Sequence, residues 1–570
     1  MPSDTRPQSD PGDPSSRPPL PASGSPSPAS GPRPRASDAP PPATGPRPPA
    51  SDAPPPASGS RPPASDAPPP ASGFRLPASG QQQLASFRAK TKRLAIHPLE
   101  KAALWVITAH LIFLPWALGT MHPWSQVISC GLSVIGFMLA LIPRNYTEEH
   151  TGSAPFRLLM YPKLLRFPIF WTGLLLLGLV VCQALNPAWE YRSDGRVFWM
   201  QAVPHHDWLP QGVTAPFEKW NQWRMLVIYS SALLTACSLW VAFTRRRTVQ
   251  YFLTTLAFNG LLLALLGITQ RVLNTGKIFG LLDFPGAVPF ATFVYKNHGA
   301  EYLNLVLAVT CGLAGWYYLR GIRRMEKSNP SGVLAFFATC IAVGIVTSYA
   351  RGATLIMMVF LFSAIAAFII HQIRLPREAR HPVVMVMLIL VFGYFLKTGF
   401  EAVRAGQAWD RMEEGLARKD TSLESRERAT KASMEMLEEH WKTGVGAGSF
   451  RFLFPIYQHH YPALIRWPNG RPMYWEHAHN DVVQLPIELG AAGMVLVVVA
   501  SAFWGISLLR GYFWQNPLSA CIVLGLFLLV VHSWWDFPFQ CSAILITWSS
   551  LWPIATMWAR FEESGARGGG

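Results

Sequence analysis

Residues 332–370 read GVLAFFATCIAVGIVTSYARGATLIMMVFLFSAIAAFII, and Arg351 is the only charged side chain among them. A helix needs about 20 mostly apolar residues to cross the hydrocarbon core of a bilayer. Two runs of that length stand here end to end, separated only by the few residues around Tyr349. The stretch therefore predicts two transmembrane helices joined by a short turn.

The same kind of apolar run recurs along the chain and sets the predicted fold class. About twelve runs begin near Ala102, Trp124, Phe167, Met225, Gln250, Gly299, Gly332, Ala353, Pro382, Gly490, Leu518 and Phe539. We therefore predict an all-α polytopic membrane protein with about twelve transmembrane helices over residues 86–570.

The composition excludes several other classes of protein. Charged residues are only 14% of the chain, whereas soluble domains carry roughly 25%. The net charge of +16 comes largely from tracts between apolar runs, such as Arg245–Arg247, so nucleic-acid binding is not predicted. All seven cysteines lie within apolar segments and no CxxC occurs, which argues against a disulfide framework and a zinc site.

Residues 1–85 predict a disordered tail. A unit of fourteen residues rich in proline, alanine and serine recurs from Gly31, Gly45 and Gly59. Proline removes amide donors, and large apolar side chains are nearly absent, so burial cannot offset the chain entropy. The PxxP-like spacing leaves two interpretations, a partner-binding segment and a simple tether.

The distribution of Arg and Lys predicts the orientation of the helices. Basic residues gather in alternate loops, including those with Arg245–Arg247, Arg320–Lys327 and Arg374–Arg380. Such loops stay in the cytoplasm, so both termini are predicted to be cytoplasmic. Two loops on the other side are long, 186–222 and 398–489. The second precedes the tenth helix, and the apolar spacing from Ala429 to Leu437 after Thr421 predicts an amphipathic helix within it.

Polar side chains are concentrated where that second loop meets the tenth apolar run. His477, His479, Asn480 and Asp481 follow one another closely, and a histidine near neutral pH can accept a proton from a sugar hydroxyl. Interfacial hydrogen bonding is the structural alternative. The His-x-His-x-Asp spacing also suggests a metal site, but no further ligands follow nearby, so no metal is predicted.

The pattern from His479-Asn480 through Gly490 to Gly493 resembles the signature of the O-antigen ligase and O-antigen polymerase superfamily. Three further stretches resemble motifs of that family in the same order, namely residues 293–302, 348–353 and 441–450. The resemblance thus extends over about 290–495.

This resemblance implies an enzyme that passes a glycan from undecaprenyl diphosphate to a lipid-A core sugar, a growing polymer or a protein hydroxyl. It implies a place in the bacterial inner membrane, a reaction on the periplasmic side and no cofactor. Carried over by motif, His479 is the catalytic residue, and Arg351 and Lys296 bind the diphosphate. Lys296 stands where the family usually has Arg, and a lysine provides a point charge rather than a bidentate fork. Ala350 replaces a serine of the motif.

Other residues are candidates for supporting roles. They are Asn297, His298, Arg426, Gly446, His477, Asn480 and Glu488. The amides around Gly446 could approach a phosphate or form a plain turn, and Arg426 could face the donor or only solvent. Asp536 could pair with a cationic site residue or cap its turn.

Other functions remain open on the sequence. A polysaccharide flippase or other transporter would place ionisable residues near the bilayer midplane, whereas the candidates here lie at helix ends. A scaffold protein would use the tail and loops for partners, and a protein O-glycosyltransferase shares the same motifs. The absence of a DxD sequence favours a lipid-diphosphate donor, whose charge meets protein cations.

Overall fold

The computed structural model describes residues 95–567 except 152–153, 327, 378–379, 414–420, 467–469 and 471. The tail predicted over 1–85 lies outside the described residues. The helices are α1 (Pro98–Trp116), α2 (Pro123–Leu141), α3 (Glu148–Thr151), α4 (Tyr161–Leu165), α5 (Pro168–Leu185), α6 (Gln222–Ala242), α7 (Arg246–Val272), α8 (Lys296–Arg324), α9 (Ser331–Thr347), α10 (Arg351–Arg374), α11 (Pro382–Glu413), α12 (Thr421–His440), α13 (Phe450–Gln458), α14 (Asp481–Arg510), α15 (Pro517–His532) and α16 (Ser542–Arg567).

Each of the twelve predicted runs lies in one of these helices. Within the described residues, nine helices are long and apolar enough to cross a membrane, and α9 and α15 are shorter apolar helices. Large apolar side chains face outward from the bundle, for example Leu175 and Val498, which are 61% and 62% exposed. A surface of this kind requires lipid rather than water. The predicted all-α polytopic membrane fold is confirmed.

Helix α8 is the centre of the bundle. Every residue from His298 to Thr310 is buried, and α7, α9 and α15 pack around the helix. The first turn of α8 therefore lies in the middle of one end of the bundle.

Five short strands that the sequence did not predict are present in the part of the chain that the structure describes. Strands β1 (Arg144–Tyr146) and β2 (Phe156–Leu158) pair antiparallel. Strands β3 (Pro187–Ser193), β4 (Phe198–Ala202) and β5 (Gly212–Thr214) form a second sheet in the order β4-β3-β5. This sheet occupies the first of the two long loops.

The second long loop has a core of its own. The helix predicted after Thr421 is confirmed as α12, and α13 follows it. Ala429, Ala432 and Met436 are buried against aromatic side chains of α13, including Phe450 and Phe454. This small core extends to the first turns of α14 and so fixes the loop above the helix that carries the polar motif.

Candidate functional site

The aromatic ring of Phe537, in the turn between α15 and α16, is the meeting point of three histidines. The ring of His298 lies 4.9 Å from it, that of His477 stacks on it at 4.8 Å, and that of His479 meets it edge-on at 4.5 Å. Residues from α8, from the end of the second long loop and from the α15–α16 turn thus converge at one point.

The His479-Asn480 pair has a local structural reason. His479 has a φ of 52°, a left-handed conformation that is uncommon outside glycine. Asn480 is the N-cap of α14, and its side chain accepts a hydrogen bond from the amide of Val483 at 3.2 Å. The imidazole therefore lies just outside the helix, and a quarter of its side chain is exposed.

Asp481 anchors this turn to its neighbour. Its amide donates to the carbonyl of Ser533 at 2.8 Å, and its buried carboxylate accepts from the amide of Phe539 at 2.8 Å and from the side chain of Gln540 at 3.2 Å. The carboxylate of Asp481 is thus engaged within the protein. Among the described residues, His477, His479 and Asp481 do not form a group of possible metal ligands.

Asp536 is the carboxylate that lies next to His479 and Asn297. Its carboxylate is buried, accepts a hydrogen bond from the side-chain amide of Asn297 at 2.5 Å and lies 3.9 Å from Nδ1 of His479. Arg426 of α12 reaches the same place, because its guanidinium donates to the carbonyl of Trp535 at 3.0 Å and to the hydroxyl of Tyr295 at 3.4 Å. The sequence left open whether Arg426 faces the donor or only solvent, and in the structure its side chain contacts the site.

The electrostatics of these groups reinforce one another. Burial alone would raise the pKa of Asp536, but His479 and the Arg426 guanidinium hold that pKa below its usual value. Burial alone would lower the pKa of Arg426, and the nearby Tyr295 and Asp536 raise it instead. Burial lowers the pKa of His479, although Asp536 opposes this. At neutral pH the arrangement is therefore a carboxylate, a guanidinium and a neutral imidazole.

A second pair of ionisable side chains lies close to Asp536. Nδ1 of His532 is 3.0 Å from Oε1 of Glu301, and both side chains are buried. Possible ligand atoms of Glu301, His532 and Asp536 lie within 4.8 Å of one another. These three could hold a cation. However, Glu301 and His532 already pair with each other, and Asp536 already accepts the hydrogen bond from Asn297.

The two predicted diphosphate ligands begin helices at this same end of the bundle. Lys296 is the first residue of α8 and immediately precedes Asn297, which bonds to Asp536. Arg351 is the first residue of α10 and precedes Gly352, where a Cβ would lie 2.3 Å from Nε2 of His532. Lys296 and Arg351 are thus the sequence neighbours of Asn297 and Gly352, which lie against Asp536 and His532.

His477 has a different environment from His479. Its Nε2 lies 3.2 Å from the guanidinium of Arg451 and its Nδ1 lies 3.3 Å from the amide nitrogen of Gln484. Burial, and then the charge of Arg451, lowers the pKa of His477. Both ring nitrogens have protein neighbours, so His477 fixes the geometry beside Phe537.

Glu488 and Gly446 belong to the framework under the site. The buried carboxylate of Glu488 accepts from the amide of Gly448 at 2.9 Å and from the side chain of Gln484 at 2.9 Å. The amide of Gly446 donates to the carbonyl of Glu488 at 3.0 Å, and that of Gly444 to the carbonyl of His440 at 2.9 Å. These amides are engaged within the protein, which favours the structural alternative over the phosphate-binding one.

The glycine-rich stretch instead packs against a kink in α14. Gly490 has φ and ψ of 64° and −175°, a conformation that is essentially restricted to glycine. A Cβ there would lie 2.7 Å from the amide nitrogen of Gly444. The first glycine of the motif thus allows two backbones to touch and sets the direction in which the start of α14 points.

Several residues at the site were not predicted. Tyr295, Phe537 and Arg451 contact predicted site residues. Glu301 and His532 pair with each other close to Asp536. A signal for Glu301 and His532 was present, because ionisable residues inside apolar runs are costly and usually functional. The sequence carries no comparable signal for Tyr295 or Phe537.

Comparison with known proteins identifies one matching family. Residues 334–498 match the family model described as O-antigen ligase. The matched segment runs from α9 into α14 and carries Arg351, Arg426 and His479, whereas Lys296 and Asp536 lie outside it. No curated protein matches the chain. The segment that contains the His479-Asn480 turn is thus similar to the O-antigen ligase family, as its motifs predicted.

Proposed function

We propose that this protein transfers a glycan from undecaprenyl diphosphate to an acceptor hydroxyl at the periplasmic face of the bacterial inner membrane. The observation that carries the proposal is the grouping of a neutral, partly exposed His479 with Asp536 and Arg426 at the end of the bundle where Lys296 and Arg351 begin their helices. A general base and several cations are the groups that such a transfer requires.

His479 is the proposed catalytic residue. Its Nδ1 faces Asp536, so Nε2 is the nitrogen available to the acceptor hydroxyl. The distance of 3.9 Å exceeds a hydrogen bond, and catalytic hydrogen bonds often tighten only when the substrate binds. Asp536 is a positioning residue that orients the imidazole and stabilises the imidazolium as it forms, the arrangement used by many His–Asp pairs.

The reaction exchanges one carbon–oxygen bond for another. The acceptor oxygen attacks the anomeric carbon, and its proton passes to Nε2 of His479. The bond between the anomeric carbon and the diphosphate oxygen breaks, and undecaprenyl diphosphate leaves with the electron pair. Lys296 and Arg351 are the proposed ligands that offset the developing charge, with Arg426 close to the same site. No step requires a metal ion.

The proposed periplasmic location follows from charge. The helix ends opposite His479 carry Arg245–Arg247, Arg320, Arg374 and Arg510, next to short loops. Basic loops of this kind are retained in the cytoplasm. Arg144 belongs to the same side but is buried against Glu100 at 3.3 Å.

The test is the transfer reaction itself. Purified protein in proteoliposomes, supplied with an undecaprenyl-diphosphate glycan and candidate acceptors, is expected to form a glycosylated acceptor. His479→Ala should lower the rate by about 10²–10⁴-fold, as expected for loss of a general base. His459→Ala, which removes an exposed histidine of the same long loop, is the matched control and should retain the rate.

Two outcomes would contradict the proposal. Retained transfer in the folded His479→Ala protein would remove the role of that residue. Movement of the intact lipid-linked glycan across the bilayer without release of undecaprenyl diphosphate would favour a transporter.

A further inference from the structure

A cavity of about 1040 Å³ lies at the end of the bundle opposite His479. It is bounded by the start of α7, the end of α8 and the start of α9. Because α8 has 29 residues, its two ends are on the order of 40 Å apart. The cavity is therefore separate from the site proposed for glycan transfer.

The lining of this cavity is strongly basic. Among the described residues, six arginines line it, at positions 245, 246, 247, 320, 323 and 324, against a single acidic residue, Glu326, which lies 3.6 Å from Arg320. Arginines placed in separate loops orient membrane helices, but that function does not require them to converge. Like charges that converge on one cavity repel one another, and a bound anion would reduce that repulsion.

Aromatic rings hold some of these guanidinium groups in place. Arg246 lies over the rings of Trp316 and Trp558 at 4.7 Å and 4.8 Å, and Arg320 lies over Trp316 at 5.2 Å. A guanidinium stacked on an aromatic face directs its N–H groups outward in its own plane, where they can pair with phosphate oxygens. Arg246 and Arg320 are thus held in a way that suits phosphate binding.

One wall of the cavity is apolar and continues onto the lipid-facing surface. Val333, Leu334 and Phe337 of α9 line it. Val333 is 57% exposed, and Phe336 on the same helix is 61% exposed. A ligand with phosphates at one end and hydrocarbon chains at the other fits such a site, whereas a free phosphate gains nothing from the apolar wall.

We propose that this cavity binds the headgroup of a phospholipid that carries two phosphates, with its acyl chains against α9. A headgroup with two phosphates brings twice the negative charge of a headgroup with one to a cavity lined by six arginines. Basic pockets between the cytoplasmic ends of transmembrane helices are known to take anionic headgroups. The proposal concerns binding alone and does not depend on the glycan-transfer reaction.

The test is binding of defined lipids to the purified, delipidated full-length protein, measured by native mass spectrometry. Diphosphatidylglycerol is the probe, with phosphatidylglycerol and inorganic pyrophosphate compared at the same concentrations. We expect diphosphatidylglycerol to bind at least tenfold more tightly than either of the other two. Equal binding of pyrophosphate would overturn the proposal of a lipid ligand, and equal binding of phosphatidylglycerol would overturn the requirement for two phosphates.

Substitutions then locate the site. The variant R320Q/R323Q/R324Q should lose at least tenfold in affinity for diphosphatidylglycerol. The control R157Q/R374Q/R510Q removes three positive charges from the same side of the bundle, and none of these residues lines the cavity. It should retain the affinity of the unmodified chain. An equal loss in both variants would mean that overall charge, and not this cavity, attracts the lipid.

A milder variant guards against misfolding. R247Q/R323Q changes two outer arginines, and the protein's melting temperature can be measured with and without diphosphatidylglycerol. The lipid should raise the melting temperature of the unmodified chain and of the control, since a ligand of the folded state stabilises it. A rise of the same size in R247Q/R323Q would contradict the assignment.

Discussion

The backbone of His479 lies in the left-handed region, which costs on the order of 1–3 kcal/mol for a residue with a side chain. The surrounding contacts maintain it, because Asn480 caps α14 and Asp481 is bonded to the α15–α16 turn. A helical His479 would continue α14 and would move its ring away from Asp536. The conformation thus has a direct effect on where the imidazole lies.

The pH dependence of transfer should report the link between His479 and Asp536. The neutral imidazole is the active form, so the rate should fall as pH drops through the pKa of His479, which lies below 6.5. Asp536 raises that pKa. In Asp536→Asn the acidic limb should therefore move to lower pH, and the maximal rate should fall about 10²-fold.

The measurement is a series of initial rates from pH 4.5 to 8 in proteoliposomes, with melting temperature as the control for folding. A purely structural role for Asp536 would lower the rate at every pH without moving the limb. A limb that moved to higher pH in Asp536→Asn would contradict the assigned electrostatics.

At the scale of helices and loops, the second long loop is part of the site rather than a covering above it. The glycine-rich stretch touches the kink of α14, and Glu488 joins that kink to the amide of Gly448. Arg426 reaches the α15–α16 turn from α12. Displacement of the loop would therefore alter both the start of α14 and the cation near Asp536.

Gly490 is the position at which this coupling can be tested. Gly490→Ala introduces a Cβ 2.7 Å from the amide nitrogen of Gly444 at a φ of 64°, so backbone must shift. We expect a loss of about 2–4 kcal/mol in stability, or failure to fold. Thermal melting and transfer rate both measure the effect.

Gly505 provides the matched control in the same helix. A Cβ there meets nothing within 4 Å, and alanine favours a helix over glycine by about 1 kcal/mol. Gly505→Ala should melt at the same temperature as the unmodified chain or higher. If both variants behaved alike, contact between the glycine-rich stretch and the kink would not determine stability.

The sequence predicts some of these features well and others poorly, for physical reasons. Helix positions followed from the length of apolar runs, because the bilayer demands that length. The tenth apolar run begins near Gly490, but α14 begins at Asp481. Its first turns bury Asp481, Gln484 and Glu488 against protein, so hydropathy could not reveal them.

The site shows the same division. His479 and Arg351 were found because short motifs carry them. The proximity of Asp536 to Asn297 links positions 239 residues apart, and no local pattern encodes such a contact. The sheet formed by β3–β5 was missed because its strands are short and lie in a loop rich in Trp and Pro.

At the scale of the whole molecule, orientation decides which compartment each site faces, and it can be measured directly. The seven native cysteines are first replaced, and single cysteines are then introduced as His459→Cys or Ser328→Cys. Both positions are exposed, the first in the long loop beside the glycan site and the second in the α8–α9 connection beside the basic cavity. In spheroplasts, a membrane-impermeant maleimide should label H459C at once, and S328C only after the membrane is permeabilised.

The reverse pattern would place His479 in the cytoplasm and would refute the periplasmic reaction. It would also turn the arginine cavity to the outer leaflet, against the charge rule that governs insertion. Labelling of both positions in sealed spheroplasts would indicate leakage of the membrane. Such leakage is detected by assaying a cytoplasmic marker in an S328C sample kept at low temperature.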